Sequence, residues 1–341
     1  MAAARLVVIS NRKSSRNSGS LGRVQQVLDD YPGEVLHRII DNIAEISAVL
    51  DAFATFEPDI LIINGGDGTI QAVLTESSRH KPFGELPPIL VLPGGKTNLV
   101  AEDLGAFSLP EEILKALVPA LEDGSWRRYL TERPLIKLRM SPGADPVYGA
   151  FFGTAAVVRG LEFVRRHIHP LHLPNVLTHV AAITFFLIVG LFYRNGRKSP
   201  LRADNAALAI DEATIPSSRY FMIMATTLNR LLLGMRPFPA GQSEVALKVT
   251  TVNYSFGSIA RGFMATLFRS IDRTVPRGMV ATQAKSLRLQ LDCPVTLDGE
   301  FFWPQADEPV ELSVTRAVTF LKVDGLKVNG SKANGIRGNG R

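Results

Sequence analysis

The sequence is poor in cysteine and lacks a long apolar run. Its 341 residues include one cysteine, which excludes an internal disulfide and suits the reducing cytosol. The nearly uncharged stretch at residues 180–193 has 14 residues, whereas a helix that crosses a bilayer needs about 20. The apolar run at residues 6–9 is too short for the core of a secretory signal peptide. We therefore expect a cytoplasmic protein that associates with membranes only at their surface.

Length and charge narrow the class of protein further. A chain of 341 residues has room for about two domains. The net charge is +6, and part of it lies in a tail rich in Gly, Asn and Ser, at Lys327, Lys332, Arg337 and Arg341. We predict that this tail, residues 325–341, is disordered. The remaining positive charge fits an anionic membrane surface or nucleotide substrates and does not require nucleic acid.

Strand and helix signals alternate in the first third of the chain. Residues 6–10, 35–40, 60–63 and 89–92 have the apolar character of buried strands, and apolar residues recur every three or four positions within residues 42–56. This alternation is typical of a parallel sheet covered by helices on both faces. Ligands of such sheets bind at the carboxyl ends of the strands. We predict an α/β domain over residues 1–130.

From about residue 131 the apolar period changes to two. Ile136, Leu138 and Met140 alternate with charged residues, and the alternation recurs at residues 287–292 and 311–315. The pattern predicts a mostly antiparallel β domain, a sandwich or a barrel, over residues 131–316.

A predicted helical insertion, residues 161–201, interrupts the β pattern. Its apolar part, residues 177–193, is flanked by basic groups at Arg165, Arg166, His167, Arg194, Arg197, Lys198 and Arg202. Three interpretations are open: a helix packed on the β domain, a helix that lies in or dips into a bilayer, and, although the segment is short for it, a helix that spans the bilayer. The flanking cations would favour anionic headgroups in the second case.

The most informative motif is a glycine turn, Asn64-Gly65-Gly66-Asp67-Gly68-Thr69, between an apolar strand and a helix. Such a turn can bring backbone N–H groups and a helix N-terminus to a phosphate, because glycines leave no side chains in the way. Asp67 would repel a phosphate unless a metal ion or a substrate proton lay between them. The alternative is an ordinary strand–helix turn with a capping Asp.

A second glycine turn, Pro93-Gly94-Gly95-Lys96-Thr97-Asn98, follows the next strand. It is not a P-loop, because that motif needs a glycine five residues before Gly95, where this chain has Leu90. Lys96 is a candidate for neutralising phosphate charge, although it could also be an ordinary solvated lysine. Asn98 is a candidate for hydrogen bonding to the nucleotide or to the Asp67 turn.

Two carboxylates flank a glycine near the other end of the chain, at Asp298-Gly299-Glu300. This sequence is also a common hairpin turn. In phosphoryl transfer, one carboxylate can accept the proton of a hydroxyl while another holds a metal or orients the first.

Together, these motifs resemble the diacylglycerol kinase catalytic-domain family, which includes bacterial diacylglycerol and sphingosine-type lipid kinases. Residues 65–69 match its GGDGT motif, residues 93–105 are similar to its second motif, and residues 298–300 match its D-G-E motif. Residues 310–323 are similar to its closing strands. The resemblance covers about residues 5–323.

The resemblance implies an ATP-binding first domain, a β-sandwich that helps to bind lipid, and an active site in the cleft between them. The final strand, near residues 317–323, is expected to return to the first domain. Catalysis is expected from Glu300, Asp67 and Asp298, and cofactor binding from Asn11, Gly65, Gly66, Asp67, Gly68, Thr69, Gly95, Lys96 and Asn98. Glu300 matches the position of the proton acceptor and Asp67 is expected near Mg²⁺. The choice of base between them, and the residues that hold the metal, stay open.

The chain departs from the family pattern at four places. Its first strand ends in Asn11-Arg12-Lys13-Ser14-Ser15, without the usual proline. The second motif has Lys96 in place of Thr and Leu99 in place of Asp. Residues 238–244 lack an acidic pair that many bacterial relatives associate with a structural Mg²⁺. The segment after Leu161 is outside the motif set.

These features predict an ATP- and Mg²⁺-dependent kinase that phosphorylates the hydroxyl of a membrane lipid, such as diacylglycerol or a sphingoid lipid, at an anionic membrane surface. One alternative is a soluble NAD kinase, which shares the GGDGT turn. Another is a catalytically inactive lipid-binding homologue, suggested by the altered second motif. The sequence determines neither the lipid nor the oligomeric state.

Overall fold

The computed structural model describes residues 3–168, 202–231, 235, 236, 238, 246–267, 274–305, 307–324 and 326. Within these residues, an α/β part with parallel strands is followed by a β part whose strands are mostly antiparallel. This arrangement confirms the predicted fold class. The domain boundaries near residues 130 and 316 stay predictions.

The α/β part places its four strands side by side and parallel, in the order β2-β1-β3-β4. Its elements are β1 (Leu6–Asn11), α1 (Asn17–Asp29), β2 (Val35–Ile40), α2 (Ile46–Ala54), β3 (Ile60–Gly65), α3 (Asp67–His80), β4 (Ile89–Pro93), α4 (Leu99–Asp103) and α5 (Pro110–Asp123). Every residue of β3 is buried, as expected for a strand covered on both faces. The two glycine turns follow β3 and β4, so both lie at the carboxyl edge of the sheet.

The β part continues the same sheet with strands that are mostly antiparallel. Its elements are β5 (Leu130–Arg139), β6 (Val147–Gly149), β7 (Phe151–Ala155), α6 (Ala156–Phe163), β8 (Asp204–Ile210), β9 (Ala213–Thr226), β10 (Leu247–Asn253), α7 (Phe256–Leu267), β11 (Met279–Ala284), β12 (Ser286–Leu291), β13 (Val295–Leu297), β14 (Glu300–Phe302) and β15 (Val310–Leu321). In β12, Leu287 and Leu289 are buried while Arg288 and Gln290 are exposed. The period of two seen in the sequence therefore separates a core face from a solvent face.

Strand β15 connects the two parts. It pairs antiparallel with β12 and β5, and Phe320 near its end pairs parallel with Ile89 of β4. A strand of 12 residues spans about 40 Å. One strand is therefore long enough to belong to the β part at its beginning and to reach the α/β part at its end.

The helical segment predicted from residue 161 begins earlier, at Ala156, and continues as a π-helix over Val164–Ile168. Ala155 has a φ of 60°, which ends the preceding strand, since β strands require a negative φ. The apolar residues 177–193, residues 239–244 and the tail residues 327–341 lie outside the described residues. None of the helices in the described part has the length and apolar character needed to cross a bilayer.

Candidate active site

The two glycine turns pack directly against each other. A Cβ built on Gly95 would lie 2.6 Å from the Cα of Gly66, and one built on Gly66 would lie 3.1 Å from the Cα of Gly95. The N–H of Gly94 also donates to the carbonyl oxygen of Gly65 at 3.0 Å. Glycine is therefore required here by the contact between the turns, in addition to any need of a ligand.

The first turn opens directly into the N-terminus of α3. Gly66 is the N-cap, with extended backbone angles, and its carbonyl oxygen accepts the N–H groups of Thr69 and Ile70. Asp67 is the first residue of the helix, where the helix dipole favours negative charge. The hydroxyl of Thr69 accepts a hydrogen bond from Asn11 Nδ2 at 2.8 Å. Asn11 is thus joined to the GGDGT turn, while its expected role in cofactor binding stays a prediction.

The loop after β1 forms a third wall of the site, which the sequence analysis did not assign. Ser14 Oγ accepts the N–H of Gly66 at 3.2 Å, and the N–H of Arg16 donates to the carbonyl oxygen of Gly94 at 2.9 Å. The same loop carries the exposed side chains of Arg12 and Lys13. Its position after a strand of a parallel sheet was the available signal, since such loops meet at one edge.

A buried polar network supports these loops from below. Asn17 Nδ2 donates to the carbonyl oxygens of Asn11 and Asn64, at 2.8 and 3.0 Å. Asn64 Nδ2 donates to Ser10 Oγ, which lies 2.8 Å from His37 Nε2. Burial lowers the pKa of His37 to about 4, so the ring is neutral at pH 7. The network therefore fixes the loops without adding charge beneath them.

The side chain of Asn98 holds the backbone of the second turn. Asn98 Oδ1 accepts the N–H of Gly95 at 2.7 Å, and Asn98 Nδ2 donates to the carbonyl oxygen of Gly95 at 2.8 Å. The side chain is 1% exposed, so it shapes the turn rather than facing solvent. Lys96 is exposed on the same turn. The Asn98 side chain therefore holds the backbone of the turn, and a role for Lys96 in binding a ligand stays a prediction.

Asp67 is buried beneath the start of α4. The N–H of Val100 donates to Asp67 Oδ1 at 3.4 Å, and hydrogen bonding by the backbone of Leu99, Val100 and Asn98 acts to lower the pKa of this carboxyl. Burial raises the pKa of Asp67 to about 6, because desolvation of the charged form outweighs these hydrogen bonds. The carboxylate is thus held in a fixed position by the second turn.

Asp298 binds the acidic hairpin, which consists of β13, β14 and the turn between them, to the rest of the β part. It has a φ of 48° in the turn between β13 and β14, and its carboxylate accepts the N–H groups of Ala150 and Phe151 at 2.9 and 2.8 Å. Burial, and next the charge of Asp67, raise the pKa of Asp298 to about 7. The two aspartates, far apart in the sequence, therefore lie close enough to influence each other.

Glu300 lies beside the N-terminus of α3. Its Oε1 atom is 3.0 Å from the position that a Cβ would take on Gly68, and the residue is exposed. A carboxylate from the β part thus meets the GGDGT turn of the α/β part. This contact joins the GGDGT motif to the D-G-E motif, both of which the sequence analysis had singled out.

Glu102 is a further acidic residue that the sequence analysis missed. It lies on α4, and its pKa is raised first by burial and then by the charge of Asp67, while the charge of Arg16 lowers it. Within the described ranges, no group of three or more His, Cys, Asp or Glu side chains is arranged to hold a metal by itself. A metal at this edge would therefore need ligands from a substrate as well.

One peptide unit is held between the two parts of the molecule by opposite charges. The N–H of Asn229 donates to Asp103 Oδ1 of α4 at 2.8 Å. At the other end of the same peptide, the carbonyl oxygen of Leu228 accepts from Lys248 Nζ of β10 at 2.9 Å. Both charged side chains are buried, so this contact ties the helix after the second turn to the β part.

The same loop reaches the acidic hairpin. The N–H of Thr227 and the hydroxyl of Thr226 donate to the carbonyl oxygen of Ala150, at 3.1 and 2.8 Å. The N–H of Ala150 in turn donates to Asp298. A chain of hydrogen bonds therefore runs from α4 to the turn that carries Glu300.

A known family model matches the first part of the chain. Residues 5–125 match the family model described as the diacylglycerol kinase catalytic domain. Over these residues the chain is similar to that kinase family. The family recognised from the motifs is thereby confirmed over these residues, which include both glycine turns but not the acidic hairpin.

Solved structures extend the likeness to the fold of the whole chain. The crystal structure of a protein from Bacillus anthracis strain Sterne matches with a TM-score of 0.67 at 15% identity. A second crystal structure, of a diacylglycerol kinase from the same strain, matches with a TM-score of 0.62 at 13% identity. Each match covers 94% of this chain and 98% of the other. Yeast NADH kinase in complex with NADH matches with a TM-score of 0.50 at 11% identity, over 100% of this chain and 90% of the other. At these identities the matches show the fold alone.

A curated relative matches only a short part of the chain. An uncharacterised protein of Caenorhabditis elegans is 44% identical over 59 residues, which are 17% of this chain. The match spans 13% of that relative's own length. It therefore adds nothing to the assignment of an activity.

Proposed function

We propose that the protein is an ATP- and Mg²⁺-dependent lipid kinase, which transfers the γ-phosphate of ATP to the hydroxyl of a membrane lipid such as diacylglycerol or a sphingoid lipid. The family of residues 5–125 supports kinase chemistry. The contact between Glu300 and Gly68 carries the rest of the proposal, because it brings a carboxylate to the helix N-terminus where a phosphate would bind.

In this proposal the triphosphate lies over the two glycine turns. The N-terminus of α3 attracts negative charge, and Lys96 on the second turn adds a cation, as do Arg12 and Lys13 on the loop after β1. Phosphoryl transfer depends mainly on such positioning and neutralisation of charge.

Asp67 fits the role of a ligand to nucleotide-bound Mg²⁺. This ion is usually held by one or two protein carboxylates together with substrate phosphates, so the site needs no larger cluster of acidic side chains. A cation beside Asp67 would also favour the ionised carboxylate, whose pKa burial has raised to about 6. When bound, Mg²⁺ would neutralise charge on the transferred phosphate.

Glu300 is the group that we assign as acceptor of the hydroxyl proton. Its carboxylate is exposed beside Gly68, so a lipid hydroxyl can approach it from the side of β14. Asp298 holds the turn that carries Glu300 through two backbone N–H groups. We therefore assign Asp298 to positioning the base rather than to contact with the lipid.

Phosphate transfer to a total lipid extract tests the proposal. Purified protein is incubated with labelled Mg·ATP, and the labelled product is identified by mass spectrometry. We expect Asp67→Ala and Glu300→Ala to abolish transfer while circular dichroism shows an intact fold. Glu85→Ala, which removes an exposed carboxylate from another part of the surface, is the matched control and should transfer phosphate normally. Normal turnover by both site variants would refute the mechanism.

The same assay separates the alternatives. NAD is offered in place of lipid, and labelling of NAD without labelling of any lipid would favour a soluble NAD kinase. Isothermal titration with Mg·ATP tests the second alternative, since the absence of binding would favour an inactive lipid-binding homologue.

A further inference from the structure

The acidic hairpin ends in an exposed tryptophan at the rim of the sheet. Strand β14 is the terminal strand in the sheet order and pairs with β13. Trp303 follows it directly and is 69% exposed, more than any other large apolar side chain in the described ranges. The other tryptophan of the chain, Trp126, is 4% exposed. The molecule therefore presents one indole ring to its surroundings, close to the proposed base.

An arginine is stacked on the same hairpin. The guanidinium of Arg165 lies 4.7 Å from the centre of the Phe301 ring and donates a hydrogen bond to the carbonyl oxygen of Gly299. Arg165 and its neighbour Arg166 are both exposed. We name the group of Arg165, Arg166, Phe301 and Trp303 the hairpin edge. It combines exposed cations with aromatic side chains.

We propose that the hairpin edge rests on an anionic lipid bilayer and that Trp303 enters its interface. Indole rings favour the boundary between water and hydrocarbon, because they have an apolar body and a polar N–H. Exposed arginines beside them are attracted to anionic headgroups. This inference rests on the proposed lipid kinase function and identifies the surface that would meet the substrate.

The position of the hairpin edge suits the delivery of a lipid hydroxyl. Trp303 is three residues beyond Glu300, so their Cα atoms are at most about 11 Å apart. The hydroxyl of a lipid alcohol lies near the headgroup level of the membrane. A bilayer in contact with Trp303 would therefore bring that hydroxyl near Glu300 while the acyl chains stay in the membrane.

Tryptophan fluorescence tests the contact directly, because the chain has two tryptophans in opposite environments. Trp126→Phe leaves Trp303 as the single reporter, and Trp303→Phe leaves Trp126 as its matched control. The probes are vesicles of phosphatidylcholine with phosphatidylglycerol, vesicles of phosphatidylcholine alone, and vesicles with brominated acyl chains. We expect a blue shift and bromine quenching of the Trp303 signal with anionic vesicles, and neither change for Trp126. If Trp126→Phe does not fold, the Trp303 signal is obtained as the difference between wild type and Trp303→Phe.

Vesicle co-sedimentation measures the strength of the contact. Trp303→Ala should weaken binding about tenfold or more, since a large apolar side chain is lost from the interface. Changing Arg165 and Arg166 to Gln should weaken it about fivefold for each charge, and only on anionic vesicles. Phe107→Ala removes another exposed aromatic side chain, 64% exposed in the α/β part, and should bind like wild type.

Three results would overturn the inference. One is a Trp303 signal that anionic vesicles neither shift nor quench. Another is a Trp303→Ala variant that binds vesicles as tightly as wild type. A Trp303 ring that is covered by a second copy of the chain or by another protein instead of lipid would overturn it as well. Fluorescence and sedimentation need no turnover, so vesicle binding without phosphate transfer would count against the proposed kinase function and leave the membrane surface standing.

Discussion

Replacing Gly68 by alanine is the sharpest test of the geometry of the site. Gly68 is the second residue of α3, and a Cβ added there would lie 3.0 Å from Glu300 Oε1. That contact is tighter than ordinary van der Waals contact, so the carboxylate must move by a few tenths of an ångström. Because Glu300 is the end of a flexible side chain, the move costs little stability.

The substitution should therefore separate stability from activity. Replacing glycine by alanine within a helix stabilises a protein by about 0.5–1 kcal/mol. A misplacement of about 1 Å can cost about a hundredfold in rate, so a shift of a few tenths of an ångström corresponds to a roughly four- to tenfold loss. We expect Gly68→Ala to unfold at slightly higher urea concentration than wild type and to lose this factor in kcat.

Two other glycines supply the controls. Gly22→Ala on α1 has nothing within 4 Å of the new Cβ, so it should gain similar stability and keep full activity. Gly95→Ala would meet the backbone of Gly66 at 2.6 Å, so it should lose about 1–3 kcal/mol. The assays are urea denaturation and phosphate transfer at saturating lipid. Unchanged kcat in Gly68→Ala, or a loss shared by Gly22→Ala, would refute the proposed role of Glu300.

Three further predictions follow from the buried charges. Asp67 and Asp298 have pKa values of about 6 and about 7 in the folded protein, against 3.8 ordinarily. As the pH rises, the unfolded state therefore loses these protons before the folded state does. The free energy of unfolding should fall as the pH rises from about 4 to about 7. Urea denaturation at several pH values gives the free energy of unfolding as a function of pH, and this free energy should fall less steeply with pH for Asp298→Asn than for wild type. Equal falls would contradict the raised pKa of Asp298. Asp103→Ala removes the partner of the buried Arg133 and the acceptor of two backbone N–H groups, so it should cost about 3–5 kcal/mol, measurable as a lower urea midpoint. Lys248→Met should lower kcat as well as stability, because the ammonium holds the loop behind the acidic hairpin; a change in stability alone would show that the loop does not position the base.

Much of the architecture could be predicted because its signals are local. The continuous apolar strands of the first third, such as residues 60–63, are apolar because both faces of a parallel sheet are covered. The change to a period of two near residue 131 marks strands with one face in water, as Leu287 and Arg288 show. The glycine turns and the acidic hairpin were also visible in the sequence, because each motif consists of a few consecutive residues.

Other features of the site could not be read from the sequence. Asn98 was a candidate for hydrogen bonding to the nucleotide or to the Asp67 turn; its side chain hydrogen bonds to Gly95, and contact with a nucleotide stays a prediction. Ser14 and Glu102 carried no signal, because a serine or a glutamate in a polar segment is most often solvated. Their roles depend on which loops meet at the carboxyl edge, and that is set by the order of the strands.

The sequence by itself determined the types of secondary structure, the change from parallel to antiparallel strands and the three motifs, because propensity and periodicity act over a few residues. Only the tertiary structure decided that Glu300 lies against Gly68, 232 positions earlier in the chain, and that Asp298 lies near Asp67. These contacts arise because β15 runs from the β part back to β4. A contact between distant segments depends on the pairing of whole strands, which no single stretch of residues encodes.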